Sequence, residues 1–195
     1  TWTEHIDNWK DTEMVLPIYL YGQQVLRETA KEADLNDKET LKTLITDLWD
    51  TLAKADGCGL AAPQVGVSLR IFIVDGSMVS DTYSYLHDFK RTMINPEILE
   101  ESDDTCEYSE GCLSVPGIYA DVRRPSKITI RYYNENFEQV TETLDKFGAR
   151  IVQHEYQHLD GGLFFDTVAP IRKKMLGKKL LSISKGKVST HYKSK

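Results

Sequence analysis

The residues best suited to chemistry lie at 154–158, where the chain reads His-Glu-Tyr-Gln-His. On a helix, positions four apart share one face, so His154 and His158 can reach one metal ion. Glu155 beside them is then in place to act as a general base, as in other H-E-x-x-H helices. A catalytic centre of this type usually has three protein ligands and one open position, so a third ligand is required. The alternative is a surface helix with two exposed histidines.

The known ligands that follow such a helix do not fit this chain. One pattern ends in a third histidine six residues after His158, where this chain has Phe164. Another uses a downstream glutamate, but no Glu follows Glu155. Asp160 and Asp166 lack the right separation on a continuing helix. The remaining candidates therefore lie upstream.

Two upstream segments offer suitable groups. EGCLSVPG, at 110–117, contains Cys112, and a cysteine with two histidines is a known ligand set for a catalytic metal. A buried free thiol is the alternative interpretation of this cysteine. GCGLAAPQVG, at 57–66, is rich in small residues that let a backbone approach a substrate. Its Gln64 amide is a suitable donor to a developing oxyanion.

The first elements that must position these groups are a helix and three strands. Apolar residues at helical spacing predict a helix over 37–55, capped by Asn36 or Asp37, with Glu39 completing a capping box from Asn36. β-rich or alternating patterns predict strands at 69–75, 127–133 and 137–144, with a turn at 134–136.

Two further helices follow the strands. One, over 146–160, carries the H-E-x-x-H and ends at two glycines, residues 161–162. The other begins after Pro170 and covers 171–181, interrupted at Gly177. Helices at both ends with strands grouped between them favour an α+β fold.

The composition fits one soluble domain. The chain has 195 residues, of which 41% are apolar and 28% charged, and no apolar run approaches the length of a membrane helix. We therefore expect no membrane partner. Residues 1–13 are polar and acidic, so we expect neither a signal nor a transit peptide there. Three cysteines without framework spacing favour a reducing, cytoplasmic setting.

The charge is unevenly distributed. The net charge is −6, yet no Asp or Glu follows Asp166, while nine Lys and Arg residues do. A basic tail on an acidic body suggests contact with an anionic partner. A solvated terminal helix is the alternative.

Together, three segments resemble the signature motifs of the peptide deformylase family, in the same order. They are GCGLAAPQ at 57–64, EGCLS at 110–114 and QHEYQHL at 153–159. The resemblance begins near Met14, which makes 14–195 a single catalytic domain with a basic tail and 1–13 an N-terminal extension. It implies antiparallel sheets wrapped around the central helix that carries the H-E-x-x-H. It also implies a metal-dependent amidohydrolase that removes the formyl group from N-terminal formyl-methionine of new proteins and releases formate.

The resemblance also assigns roles to individual residues. The matched metal ligands are Cys112, His154 and His158, and the general acid/base is Glu155. The oxyanion donors are Gln64 and the backbone N–H of Leu113, and Gly59 makes the backbone contact to substrate. The charge pair that supports the Cys112 loop is Glu110 with Arg124. The implied cofactor is one divalent metal ion per chain, Fe(II) physiologically, and Zn, Ni or Co also suit these ligands.

Two positions depart from the family pattern. Gln157 stands where Asp is usual, and Cys58 stands where Val or Ile is usual. A neutral amide at 157 is expected to orient the surroundings of the metal less firmly. Cys58 is expected near the site, where it can be oxidised or alkylated.

The implied partners are a formyl-Met nascent polypeptide and, through the basic tail, the ribosome; no DNA partner is expected. Because the matched catalytic residues all precede residue 160, we expect the tail not to affect chemistry on a small peptide. One alternative is an H-E-x-x-H metalloendopeptidase, which the missing downstream ligand disfavours. Another is a ribosome-associated or metal-binding protein without catalysis. Glu155 and Gln64 argue against it, because metal binding alone requires neither.

Overall fold

The structure, a computed structural model, describes residues 14–195; the expected N-terminal extension at 1–13 lies outside the described residues. The helices are α1 (Lys38–Ala55), α2 (Lys146–Leu159) and α3 (Pro170–Ser184). The strands are β1 (Gly59–Ala61), β2 (Ile71–Asp75), β3 (Lys90–Glu101), β4 (Thr105–Cys112), β5 (Val115–Pro125), β6 (Lys127–Tyr133) and β7 (Gln139–Asp145). No helix within 14–195 is long and apolar enough to cross a bilayer.

Antiparallel pairing arranges the strands in two sheets. Five strands form one sheet in the order β1-β2-β3-β6-β7, and β4 pairs with β5 in the second. The predicted turn at 134–136 joins β6 to β7 as expected, although β7 begins at Gln139 rather than at residue 137. The α+β prediction is confirmed, but the sequence patterns did not indicate β1, β3, β4 or β5.

The large sheet is covered by a helix on each face. Side chains alternate along a strand, so Ile71 and Ile73 of β2 pack with α1, whereas Phe72 and Val74 pack with α2. This burial on both faces explains the unbroken apolar run of β2. The α2 helix also contacts β1, β6 and β7, and most of its residues are buried. The helix that carries the two histidines is therefore central.

Two helix details differ from the sequence prediction. The capping box from Asn36 does not form; Asp37 is the cap, and its side chain accepts a bond from the Thr40 N–H. The α3 helix continues through Gly177 to Ser184. A glycine costs a helix about 1 kcal/mol relative to alanine, and docking of α3 on the body through Leu176 and Leu180 offsets that cost.

The segment after α3 turns back across the body. Gly186, with φ of 68°, follows the helix end, and the chain then returns alongside residues 18–20. The Ile18 N–H donates to the Lys193 carbonyl at 2.9 Å, and the Leu20 N–H donates to the Lys195 carbonyl at 3.0 Å. The last residues are thus hydrogen-bonded to the domain rather than extended into solvent.

Candidate active site

The three predicted ligands meet beside α2. His154 and His158 lie one turn apart on its buried side, with ring centroids 5.3 Å apart. Cys112 ends β4 and pairs with Val115 across a two-residue turn, after an irregularity in the ladder at Glu110. The turn brings the thiol to α2, and the three donor atoms lie within 4.8 Å of one another.

The spacing of these donors fits a metal ion. Cys112 Sγ lies 3.4 Å from His158 Nε2. A sulfur and an imidazole nitrogen on one tetrahedral ion would lie about 3.6 Å apart, given bonds of about 2.3 Å and 2.1 Å. Burial lowers the pKa of His158 well below its ordinary value, which favours the neutral form that binds metals. Within the described residues, neither Cys58 nor Cys106 joins this group.

Glu110 supports the ligands from behind. It is 5% exposed, and Arg124 donates to both of its oxygens, at 2.7 and 2.9 Å, as the sequence predicted. His154 Nδ1 lies 2.7 Å from the same carboxylate, which leaves Nε2 for the ligand position. Burial by itself raises the pKa of Glu110, but the bonds from Arg124 and His154 outweigh it and hold this pKa well below its usual range.

Arg150 completes the cluster and was not predicted. Its guanidinium donates to Glu110 at 2.7 Å and to the Val122 and Cys106 carbonyls, both at 2.8 Å. In the sequence, Arg150 could have been recognised by its position one turn before His154, which places its charge on the buried face of α2. A buried arginine requires a carboxylate partner, and only the folded chain identifies Glu110 as that partner.

Gln157 has a specific place in the structure. Its Oε1 accepts a bond from Arg124 Nη2 at 2.8 Å, and its Nε2 donates to the Leu163 carbonyl at 3.1 Å. An aspartate has no donor for that carbonyl. Gln157 therefore ties α2 to the following loop and also contacts the arginine that holds Glu110. That this neutral amide orients the surroundings of the metal less firmly than an aspartate stays a prediction.

Glu155 faces the open side of the ligand group. It is 3% exposed, and its carboxylate packs against Gly59, where a Cβ would lie 2.6 Å from Oε1. Any side chain at 59 would therefore displace the carboxylate. Burial raises the pKa of Glu155 to about 7, with a further contribution from Glu110. Within the described residues, Oε2 has no hydrogen-bond partner. This carboxylate can accept and release a proton near neutral pH.

Gln64 is buried and lies beside the turn that carries Cys112. Its Oε1 accepts from the Ala61 N–H at 2.9 Å, which turns Nε2 toward the turn after β4. Nε2 lies 3.1 Å from Ser114 Oγ and 3.5 Å from Cys112 Sγ. Leu113, next to Cys112, lies in the same turn. The predicted oxyanion donors are thus close together, and Ser114 is a buried partner that the sequence did not reveal.

Gln64, Cys112, His154 and Glu155 border a cleft of about 560 Å³, a size typical of small-ligand sites. Residues 57–59, 111–113 and 115–119 also line it. Residues 189–192 of the tail also line it. Cys58 lines it too, but burial raises the pKa of this thiol to about 12. Because the thiolate is the reactive form, Cys58 is a weak nucleophile here.

Comparisons with known proteins agree on one family. The family model for polypeptide deformylase matches residues 15–174. A peptide deformylase from Christiangramia forsetii is 43% identical over 187 residues, covering 92% of this chain and 95% of that protein. The crystal structure of peptide deformylase from Plasmodium falciparum matches with a TM-score of 0.78 at 34% identity, covering 87% of this chain and 95% of that one. The crystal structure of peptide deformylase from Thermotoga maritima matches with a TM-score of 0.72 at 39% identity, covering 80% of this chain and 99% of that one.

Proposed function

Because the chain belongs to the peptide deformylase family, metal-dependent hydrolases that remove the N-formyl group from nascent proteins, we propose that it carries out this reaction in the cleft at Cys112, His154 and His158. These three residues would hold one divalent ion. The family resemblance implies Fe(II) as the physiological metal, and a thiolate with two imidazoles also suits Zn, Ni or Co. When bound, the ion would supply a Lewis acid that makes water acidic enough to react at neutral pH.

Glu155 is the proton carrier in this proposal. Its buried carboxylate, with one oxygen unpartnered among the described residues, takes a proton from the attacking water. It then gives that proton to the leaving amine as the C–N bond of the formamide breaks. The products are formate and a free α-amine.

Two donors would stabilise the oxyanion that forms on the formyl group. They are Gln64 Nε2, directed by the bond between Oε1 and Ala61, and the N–H of Leu113 in the turn after β4. Gly59 would contact the substrate backbone, since it lies on the cleft wall without a side chain.

The observation that carries the proposal is the position of Glu155 beside three converging donors, because a purely structural metal site would not need a buried, unpartnered carboxylate. The test is formate release from a formyl-Met peptide by metal-loaded protein, with metal content measured on the same sample. Cleavage of internal bonds in unformylated peptides would favour the metalloendopeptidase instead.

We also propose that α3 contacts the ribosome. Lys173, Lys174, Lys178 and Lys179 are exposed along it, beside exposed Ile171 and Met175. Binding to RNA phosphate should weaken steeply as salt rises. Replacing the four lysines with Glu should lower ribosome affinity, most at low salt, whereas replacing the exposed Lys31 and Lys42 on the body should not. Equal binding by the α3 variant across a salt series would contradict this proposal.

The domain boundary and the location are proposals of the same kind. We propose that 14–195 is the catalytic domain and that 1–13 is dispensable for catalysis. A loss of more than about tenfold in kcat/KM on removing 1–13, about 1.4 kcal/mol, would contradict this.

A cytoplasmic location agrees with the nascent-chain substrate and with three cysteines that are all unpaired.

A further inference from the structure

We propose that Tyr192 is a positioning residue for the oxyanion-binding turn at Leu113, and that residues 189–192 form part of the substrate cleft. The inference rests on the proposed function, because it concerns how the Leu113 N–H is held toward the reacting group. Residues 189–192 lie beyond the range 15–174 that the family model matches. They were also outside every motif that the sequence singled out.

The contact is between the Tyr192 hydroxyl and the Leu113 main chain. The Tyr192 OH donates to the Leu113 carbonyl across 79 positions of sequence. Burial raises the pKa of Tyr192 to about 12, so the hydroxyl keeps its proton at neutral pH and remains a donor. The ring is half-buried and packs with two of the apolar clusters, one containing α1 and the other α3. Tyr192 is therefore a fixed part of the domain.

The turn that carries Leu113 is held from three directions. The Tyr21 N–H donates to the Ser114 carbonyl at 2.8 Å, and Gln64 Nε2 donates to Ser114 Oγ at 3.1 Å. Both of these bonds hold Ser114. The Tyr192 bond holds the Leu113 carbonyl, which is joined through the Leu113 Cα to the N–H that is a proposed oxyanion donor. Because an oxyanion donor must be aimed before the reaction begins, fixing the backbone on one side of this Cα limits how far the N–H can turn away from the reacting group.

The segment that carries Tyr192 is anchored on both sides of that contact. Thr190 Oγ1 donates to the Tyr192 carbonyl at 2.7 Å and lies 3.0 Å from Ser194 Oγ. His191 Nε2 lies 3.2 Å from the Ala55 carbonyl, at the end of α1. After Tyr192, the Lys193 carbonyl accepts a bond from Ile18. The segment thus connects the end of α1 to the turn after β4, along one side of the cleft.

This arrangement predicts a specific kinetic effect. Tyr192→Phe removes the hydroxyl and keeps the ring, so the packing of the domain should change little. Loss of an oxyanion donor costs about 10²–10³ in kcat; loss of its positioning contact should cost less. We expect kcat for a formyl-Met peptide to fall about tenfold, with KM within about twofold and metal content unchanged, since Tyr192 is not a ligand.

A matched control is available on the β6–β7 hairpin. The Tyr133 hydroxyl accepts a bond from Gln139, and both side chains lie away from the cleft lining. Tyr133→Phe removes one tyrosine hydroxyl as well and should leave kcat and KM unchanged. A second cleft variant, Thr190→Val, keeps Tyr192 but loosens its segment, and should give a smaller fall in kcat.

The outcomes separate this inference from the function on which it rests. If the metal-loaded wild type releases no formate, the proposed function is wrong. If it does, and Tyr192→Phe has wild-type kcat, or changes only KM, the positioning role is wrong while the function stands. If Tyr192→Phe is too unstable to assay, Thr190→Val decides, and a wild-type kcat for that variant overturns the inference.

Discussion

At the candidate metal centre, the two sides of α2 differ in whether their buried carboxylates have hydrogen-bond partners. We call the side at Glu110 the supporting side and the side at Glu155, which lines the cleft, the open side. On the supporting side, both oxygens of Glu110 accept hydrogen bonds, from Arg124, Arg150 and His154. On the open side, Glu155 is also buried but keeps an oxygen without a partner among the described residues. Two buried carboxylates therefore have opposite pKa shifts, downward for Glu110 and upward for Glu155.

The difference follows from the neighbours rather than from burial. Burial alone raises the pKa of a carboxyl group, and it does so for both residues. Hydrogen bonds and charge from Arg124 and His154 reverse the effect at Glu110 and make it a permanent anion that orients a ligand. No arginine or histidine among the described residues donates a hydrogen bond to Glu155, and this carboxylate can exchange a proton near neutral pH. One side of the helix therefore holds the site in place, and the other is left free to react.

The largest effect should come from removing the ligand that joins the two sides. Cys112→Ala should lower metal content and reduce activity nearly to background, because two histidines alone leave the ion poorly held. Metal analysis and formate release measure both effects. Cys58→Ala is the control thiol and should leave metal content unchanged; the reverse pattern would mean that the ligand is Cys58.

The next largest effect on activity should come from changing Glu155 alone. Glu155→Gln should lower kcat by about 10³–10⁴, near the upper range for a general acid–base residue. The metal should remain bound, since Glu155 is not a proposed ligand. Full activity in a metal-loaded variant would show that the unpartnered carboxylate is not the proton carrier.

Changing the carboxylate on the supporting side should instead lower stability and metal affinity. Glu110→Gln removes the charge that faces two buried or half-buried arginines, and leaving a buried charge unpaired costs about 3–5 kcal/mol of stability. Metal affinity should fall about 10–100-fold, because the partner of a ligand histidine is altered. Denaturant unfolding and metal titration measure these effects. If stability is unchanged while only kcat falls, the two sides do not differ as described.

The smallest effect should come from the edge of the supporting side. Gln157→Ala removes one bond to Arg124 and one to the Leu163 carbonyl, but it leaves both bonds from Arg124 to Glu110. We expect metal affinity to fall less than about tenfold, below the range for direct partners of a ligand. A loss as large as that of Glu110→Gln would mean that Gln157 is essential for the position of Arg124.

Local pattern predicted much of the fold and part of the site. Helical periodicity located α1 within a residue, and the two glycines at 161–162 located the end of α2 equally well. The turn at 134–136 indicated the β6–β7 hairpin. Strands β4 and β5 were missed, although they carry Cys112 and Arg124. The alternation of β4 is weak because its side chains are mostly half-buried or exposed. In β5, by contrast, buried Ile118, Ala120 and Val122 alternate with exposed residues, so its strand pattern was present in the sequence and was overlooked. The site was found through its motifs rather than through the strands that build it.

The sequence by itself determined which groups can react, since the four-residue spacing of His154 and His158 places them on one helix face whatever surrounds it. It also placed Glu155 beside them. Only the tertiary structure decided which distant residues complete the site. Arg150 meets Glu110 across 40 positions, and Tyr192 meets Leu113 across 79. Such contacts depend on how sheets and loops return the chain to one place, and periodicity reports only on neighbours within a few residues. For the same reason, the sequence did not indicate that residues 189–192 of the basic tail line the cleft.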